Sequence, residues 1–204
     1  MAQLFKGRKI ADYFSQLKQN IQNDIDTSPD DELTGIDTDQ IVDGLFKSYC
    51  QTTPKLNKGD ISSRILSTEI SGRELPSGTM FEPGKMYEID TAHYTVPFSG
   101  NQIFFECSPI APAGLNMQAT VNNRRLLMQV TKYNKLSGND QLLEKIKQSF
   151  KANIDEIERI LKMLETHCVA FNDELKPFIK NYLEKKISAI NIKNESEDKL
   201  NPFK

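Results

Sequence analysis

Between Phe150 and Phe171, seven apolar side chains follow one another at separations of 4, 3, 4, 3, 4 and 3 residues: Phe150, Ile154, Ile157, Leu161, Leu164, Cys168 and Phe171. An α-helix turns once in about 3.6 residues, so this spacing holds all seven on one stripe, whereas a strand scatters them over both faces. A stripe of that length must lie against other apolar groups. Phe150, Ile154, Ile157, Leu161, Leu164 and Phe171 are therefore candidate interface residues, facing either the chain's own core or a second copy in a homo-oligomer.

Past the stripe, Phe171-Asn172-Asp173-Glu174 reads as a break, and Pro177 fits the first turn of a new helix carrying Phe178, Ile179, Tyr182, Leu183, Ile187 and Ile190. Two helices joined this closely predict a long C-terminal antiparallel hairpin over 139–190, with 191–204 as a tail or linker. Upstream, residues 61–133 are rich in Thr, Ile, Val, Phe and Tyr and punctuated by Gly and Pro, which is antiparallel β texture. Strands are expected at Ser63–Ile70, Lys85–Val96, Ile103–Ser108, Met117–Val121 and Arg124–Lys132, the last two joined by a two-residue turn at Val121-Asn122-Asn123-Arg124. Ser137-Gly138-Asn139-Asp140 ends this region and caps the helix that follows.

The N-terminal residues 1–25 form an amphipathic helix by the spacing of Leu4/Phe5, Ile10, Tyr13/Phe14, Leu17, Ile21 and Ile25. Eight acidic residues and no basic ones lie between Asp24 and Asp43, with Ser28-Pro29 and Thr34-Gly35 breaking the run. Residues 26–38 therefore read as an acidic linker. The main domain spans 39–190 and opens with a short helix over Asp39–Cys50 capped by Asp39. The expected fold is α+β: N-terminal helices, an antiparallel β-sheet or sandwich of about five to six strands, and the C-terminal helical hairpin.

Charge and chemistry narrow the function classes. With 26 Lys and Arg against 28 Asp and Glu, no global basic field draws the chain to nucleic acid or to a membrane. Local patches remain: Lys176, Lys180, Lys185 and Lys186 accompany a single Glu184, and Arg124-Arg125 sit at the hairpin turn. These six are the candidate nucleic-acid contacts. The aromatics Tyr133 and Phe105 are not interleaved with them as a base-stacking platform requires. Lys6, Arg8 and Lys9 interrupt any signal-peptide core, and charged residues break every long apolar run, so the expected setting is cytoplasmic with no membrane partner. Cys50, Cys107 and Cys168 lack disulfide or zinc spacing, and the acidic segment misses the EF-hand pattern, so no metal or cofactor is expected.

A catalytic constellation is not legible. Only His93 and His167 are present, and no nucleophile elbow, P-loop or dinucleotide loop occurs. Asp90 and Glu106 mimic the paired carboxylates of a metal nuclease, but Ser108 stands where that motif needs a lysine. The reading is non-enzymatic.

As an ordered series, Tyr94-Thr95-Val96-Pro97-Phe98-Ser99-Gly100, Phe104-Phe105-Glu106-Cys107-Ser108-Pro109, the Met117–Val130 hairpin, and Phe171–Leu175 leading to Lys185-Lys186 form a longer pattern. It resembles the N-terminal accessory region of a group of uncharacterised bacterial proteins that carry a C-terminal restriction-endonuclease-like domain. The likeness covers roughly residues 40–190. It implies a non-catalytic recognition, regulatory or assembly part of a bacterial nuclease or phage-defence system, acting with a nuclease domain or subunit outside these residues. The other candidate classes are a protein-interaction or oligomerisation module without nucleic-acid contact, and a small-molecule sensor.

Overall fold

The computed structural model describes residues 2–109, 118–132 and 135–200. Met117 at the start of an expected strand, the turn signals Pro112 and Gly114, Tyr133, and residues 201–204 of the expected tail lie outside them. In chain order the elements are β1 (Ala2–Gln3), β2 (Arg8–Lys9), α1 (Ile10–Thr27), α2 (Asp30–Gly35), α3 (Thr38–Tyr49), β3 (Lys55–Leu56), β4 (Ser62–Ser71), β5 (Met86–Ser99), β6 (Cys107–Ser108), β7 (Gln118–Asn122), β8 (Arg125–Lys132) and α4 (Asp140–Leu200). The fold is α+β, with N-terminal helices, an antiparallel sheet and a long C-terminal helix. The chain forms two compact units, residues 1–7 with 53–163, and residues 8–52 with 164–204.

The first unit is built on a sheet of order β1-β7-β8-β5-β3, with β4 also paired to β5. β5 is its axis: β8 pairs with Asp90–Pro97 on one side, while β4 takes Met86–Thr95 and β3 takes Phe98–Ser99 on the other. β-branched and aromatic residues alternate with polar ones along these strands, so one face is apolar. On that face Ala92, Val96, Ala119, Leu126 and Met128 are buried, and Tyr94 stacks on Phe150 of α4 with ring centroids 3.7 Å apart. Gly100 ends β5 with φ +89°, and a Cβ there would press into the Thr53 carbonyl, so only glycine lets the chain pass.

Two local expectations shift. The tight turn is Asn123-Arg124, with φ values of 47° and 57°, and Asn122 pairs with Arg125, one residue later than expected. Two positive φ values mark a type I′ turn, the hairpin turn whose twist matches its strands. The expected strand at Ile103–Ser108 is a 3-10 turn over Gln102–Phe105 followed by the two-residue β6. Asn101 explains it: its side chain accepts from the Ile103 N–H and starts a helical turn, which buries Phe104 and Phe105.

The second unit packs α1, α2 and α3 with the later part of α4. Ile21, Ile25, Leu33, Val42, Phe171, Leu175, Ile179, Leu183 and Ile190 form its core, and Phe14 stacks on Phe171 at 4.3 Å. α1 starts at Ile10 rather than near Leu4, because Leu4 and Phe5 are buried in the first unit and Phe5 has φ 59°. The acidic segment is not a linker. α1 runs to Thr27, and α2 occupies Asp30–Gly35 because Leu33, 3% exposed, anchors it in the core. The cap of α3 is Asp37, which accepts from the Asp39 N–H, rather than Asp39 itself.

The expected helical hairpin is replaced by one helix. α4 runs unbroken for 61 residues with Pro177 inside it. The buried stripe does not stop at Phe171 but goes on through Leu175, Ile179 and Leu183 at steps of four, so the same face keeps turning inward. A mid-helix proline costs about 3 kcal/mol, and each buried Leu or Ile returns about 1.5–3 kcal/mol, so three of them outweigh it. Pro177 is itself exposed, as is Asp173, the residue four positions earlier whose carbonyl finds no N–H on the proline to accept from. Asn172, within the expected break, instead bridges the Gln51 backbone, accepting from its N–H at 2.9 Å and donating to its carbonyl at 2.8 Å. Replacing Pro177 by Ala therefore stabilises the protein by about 1–3 kcal/mol in urea unfolding, whereas a chain turned back at 171–175 would gain nothing from it.

Candidate nucleic-acid and partner surfaces

Three of the four expected helical lysines are engaged. Lys176 Nζ lies 2.7 Å from Asp43, Lys180 Nζ 3.1 Å from Asp39, and Lys186 Nζ 3.7 Å from Asp26. The side-chain hydrogen bond from Lys176 holds the Asp43 carboxyl below its ordinary range, and the bond to Asp39 pushes Lys180 up. Tyr182 donates to the same Asp26 at 2.7 Å, and Tyr49 donates to Asp24 at 2.5 Å. Burial and then this carboxylate raise the Tyr49 pKa to about 12. Exposed pairs of this kind contribute little energy each, but they occupy the ammonium groups. Lys185 is exposed. Asp39, Val42, Asp43, Lys176, Pro177 and Lys180 line a shallow open depression whose charges face one another.

The stripe on α4 is also spent inside the chain. Phe150, Ile154, Ile157, Leu161, Leu164 and Phe171 are all buried, none more than 7% exposed, so that face is covered without a second copy.

Arg124 and Arg125 stand apart from these, exposed at the β7–β8 turn. Antiparallel partners project to the same side of a sheet, so the register assembles the solvent face row by row. One row holds Asn122, Arg125 and Pro97; the next Thr120, Leu127, Thr95 and Ser62; the third Gln129, His93 and Arg64. Gln129 Nε2 lies 3.3 Å from His93 Nδ1, and burial, then the Arg64 charge, lowers the His93 pKa. The sequence signal for Arg64 and Gln129 was strand alternation, but pairing them across three strands needs the register.

The remaining candidates for chemistry are structural. Asp90 is 1% exposed and its carboxylate accepts from Ser67 Oγ at 2.6 Å, the Leu136 N–H at 2.6 Å and the Ser137 N–H at 3.4 Å. It thereby ties β5 to the segment that starts α4. The Glu106 carbonyl accepts from the Gly7 N–H. His167 is half-buried on α4, and Cys168 Sγ lies 3.2 Å from the Gln51 carbonyl. Among the described residues no group of three or more His, Cys, Asp or Glu is placed to hold a metal ion, and no helix is long and apolar enough to cross a membrane. Comparison of the chain with family models, with curated proteins and with solved structures finds no match.

The Ser67 and Leu136 donors hold the Asp90 carboxyl below its ordinary pKa. A depressed carboxyl stabilises the fold above its unfolded value of about 3.9, and that stability is lost as pH falls through the lower folded value. Asp90→Asn is therefore expected to lower Tm at pH 7, with the gap to the parent closing as the pH falls below about 4. A gap that stays constant down to pH 2 contradicts this role for the charge.

Proposed function

We propose that the chain is a non-catalytic recognition and assembly module working beside a nuclease domain or subunit, the partner that the resemblance implies for a bacterial nuclease or phage-defence system. The observation that supports this is the free edge of β4. This strand of ten residues pairs with β5 alone, so among the described residues nothing covers the backbone donors and acceptors along its other side. Natural sheets blunt such edges with proline, bulges or many charges, or they use them to add a strand from a partner. β4 has no proline and carries Ile65 and Leu66 at 39% and 40% exposure near its middle. Beyond the end of β8, β4 and β5 continue as a two-stranded ribbon leading to Met80, 98% exposed, Phe81 and Met86. An open strand edge with apolar side chains exposed along it and at the loop beyond suits a protein surface better than a small ligand.

Several side chains that could do chemistry are committed elsewhere, Asp90 to two backbone N–H groups and a hydroxyl, and Lys176, Lys180 and Lys186 to Asp43, Asp39 and Asp26. Hydrolysis on this reading belongs to the partner. Purified chain incubated with DNA and Mg²⁺ is expected to leave the DNA intact, and to co-elute with a co-expressed nuclease encoded beside it. Ile65→Lys is expected to weaken that complex at least 10-fold while leaving the circular dichroism unchanged. Cleavage by the chain alone that disappears in Glu106→Ala overturns the reading.

A further inference from the structure

We propose that the solvent face of the sheet, carrying Arg64, Arg125 and the neighbouring turn residue Arg124, binds the phosphodiester backbone of duplex nucleic acid without reading its sequence. This goes beyond partner docking, because it uses the face of the sheet and not its free edge. The alternation of the strands sorts the charges. Every Asp and Glu of β4 and β5, namely Glu69, Glu88 and Asp90, falls at a position of the opposite parity to Arg64 and His93. The described strand positions on the arginine side hold no carboxylate at all: Asn122, Thr120, Leu127, Gln129, Thr131, Thr95, Pro97, Ser62 and Leu66 lie around the cations, and Thr91 and Ile89 on the same side are buried.

Arginine surrounded by amides and hydroxyls is the chemistry that phosphate oxygens accept from. Arg64 and Arg125 sit two strands and four residue pairs apart, which strand geometry converts to roughly 17 Å, about five backbone rises of ~3.4 Å along one strand of a duplex. Arg124 adds a second observation. It occupies the turn with φ 57°, a conformation costly for a residue with a long side chain, where asparagine or glycine would fit without strain. The turn thus keeps a guanidinium at the rim of the face at a local energetic cost, and such strain concentrates at functional positions.

The three rows hold no Phe, Tyr or Trp, and their one ring, that of His93, lies against the Gln129 amide. Single strands are held largely by bases stacking on aromatic rings, so a face of cations and hydrogen-bond donors favours the outside of a duplex. Lys176, Lys180 and Lys186 of α4 do not share this property, since Asp43, Asp39 and Asp26 already neutralise them.

The test is fluorescence anisotropy of a labelled 20-base-pair duplex and of the corresponding single strand, titrated with the full chain from 50 to 200 mM salt. Binding of the duplex in the ~10⁻⁴ M range is expected, with a log–log salt slope near −2.7 for three phosphate contacts. Each of Arg64→Gln, Arg124→Gln and Arg125→Gln should reduce the slope by about 0.9, and the triple variant should abolish binding. Lys180→Gln should change neither slope nor affinity. The single strand should bind more weakly than the duplex. An unchanged slope in the triple variant, or no duplex binding at 50 mM salt, overturns the proposal. So does poly-glutamate competing as well as duplex at equal charge, which would assign the face to an acidic protein surface. Loss of partner assembly in Ile65→Lys with duplex binding retained separates this face from the β4 edge.

Discussion

The unbroken apolar stripe of α4 is the constraint on which the rest depends. One helix of 61 residues passes from one compact unit into the other, and the same face is buried in both. In the first unit it gives the sheet its apolar backing, through Phe150 on Tyr94 and through Ile146 with Ala92 and Leu136. In the second it gives α1, α2 and α3 a common wall through Phe171, Leu175, Ile179 and Leu183. Each unit's core thus includes its own section of this helix.

That geometry also explains a charge distribution that totals almost nothing. The acidic residues between Asp24 and Asp43 do not form a free tail. Their helices pack on α4, and Asp26, Asp39 and Asp43 meet Lys186, Lys180 and Lys176 there. The opposed patches of the sequence thus cancel within one unit. In the first unit, by contrast, strand alternation puts Arg64 and Arg125 on one face of the sheet and Glu69, Glu88 and Asp90 on the other. Charge is separated by the pleat in one unit and paired by helix packing in the other.

Much of this was legible before any coordinates. The stripe, the β region and most strand limits follow from periodicity, and strands β4, β5, β7 and β8 fall within a few residues of their expected places. The failures have physical causes. Pro177 and the polar run Asn172-Asp173-Glu174 outweighed a spacing that continued through Leu175 and Ile179, because local breaker signals carry no information about what the next turn buries. α2 was hidden for the same reason: in a strongly acidic run, the single Leu33 decides between helix and linker. The arginine face was invisible because Arg64, His93 and Gln129 come from three strands, and single-strand alternation cannot tell which residues will share a row. The lysine patch was legible as composition, but its neutralisation depends on which helix packs against which.

The continuity of α4 is the central claim, and a distance measurement tests it most directly. Nitroxides at the exposed positions Glu165 and Lys185, introduced as cysteines with Cys50, Cys107 and Cys168 replaced, report the length of helix between them by double electron–electron resonance. A helix rising ~1.5 Å per residue places the two labelled backbones about 30 Å apart. A single distribution centred near that value is the result this account predicts. A distribution near 10 Å, the spacing of two packed antiparallel helices, would mean that the chain folds back and that the shared wall does not exist.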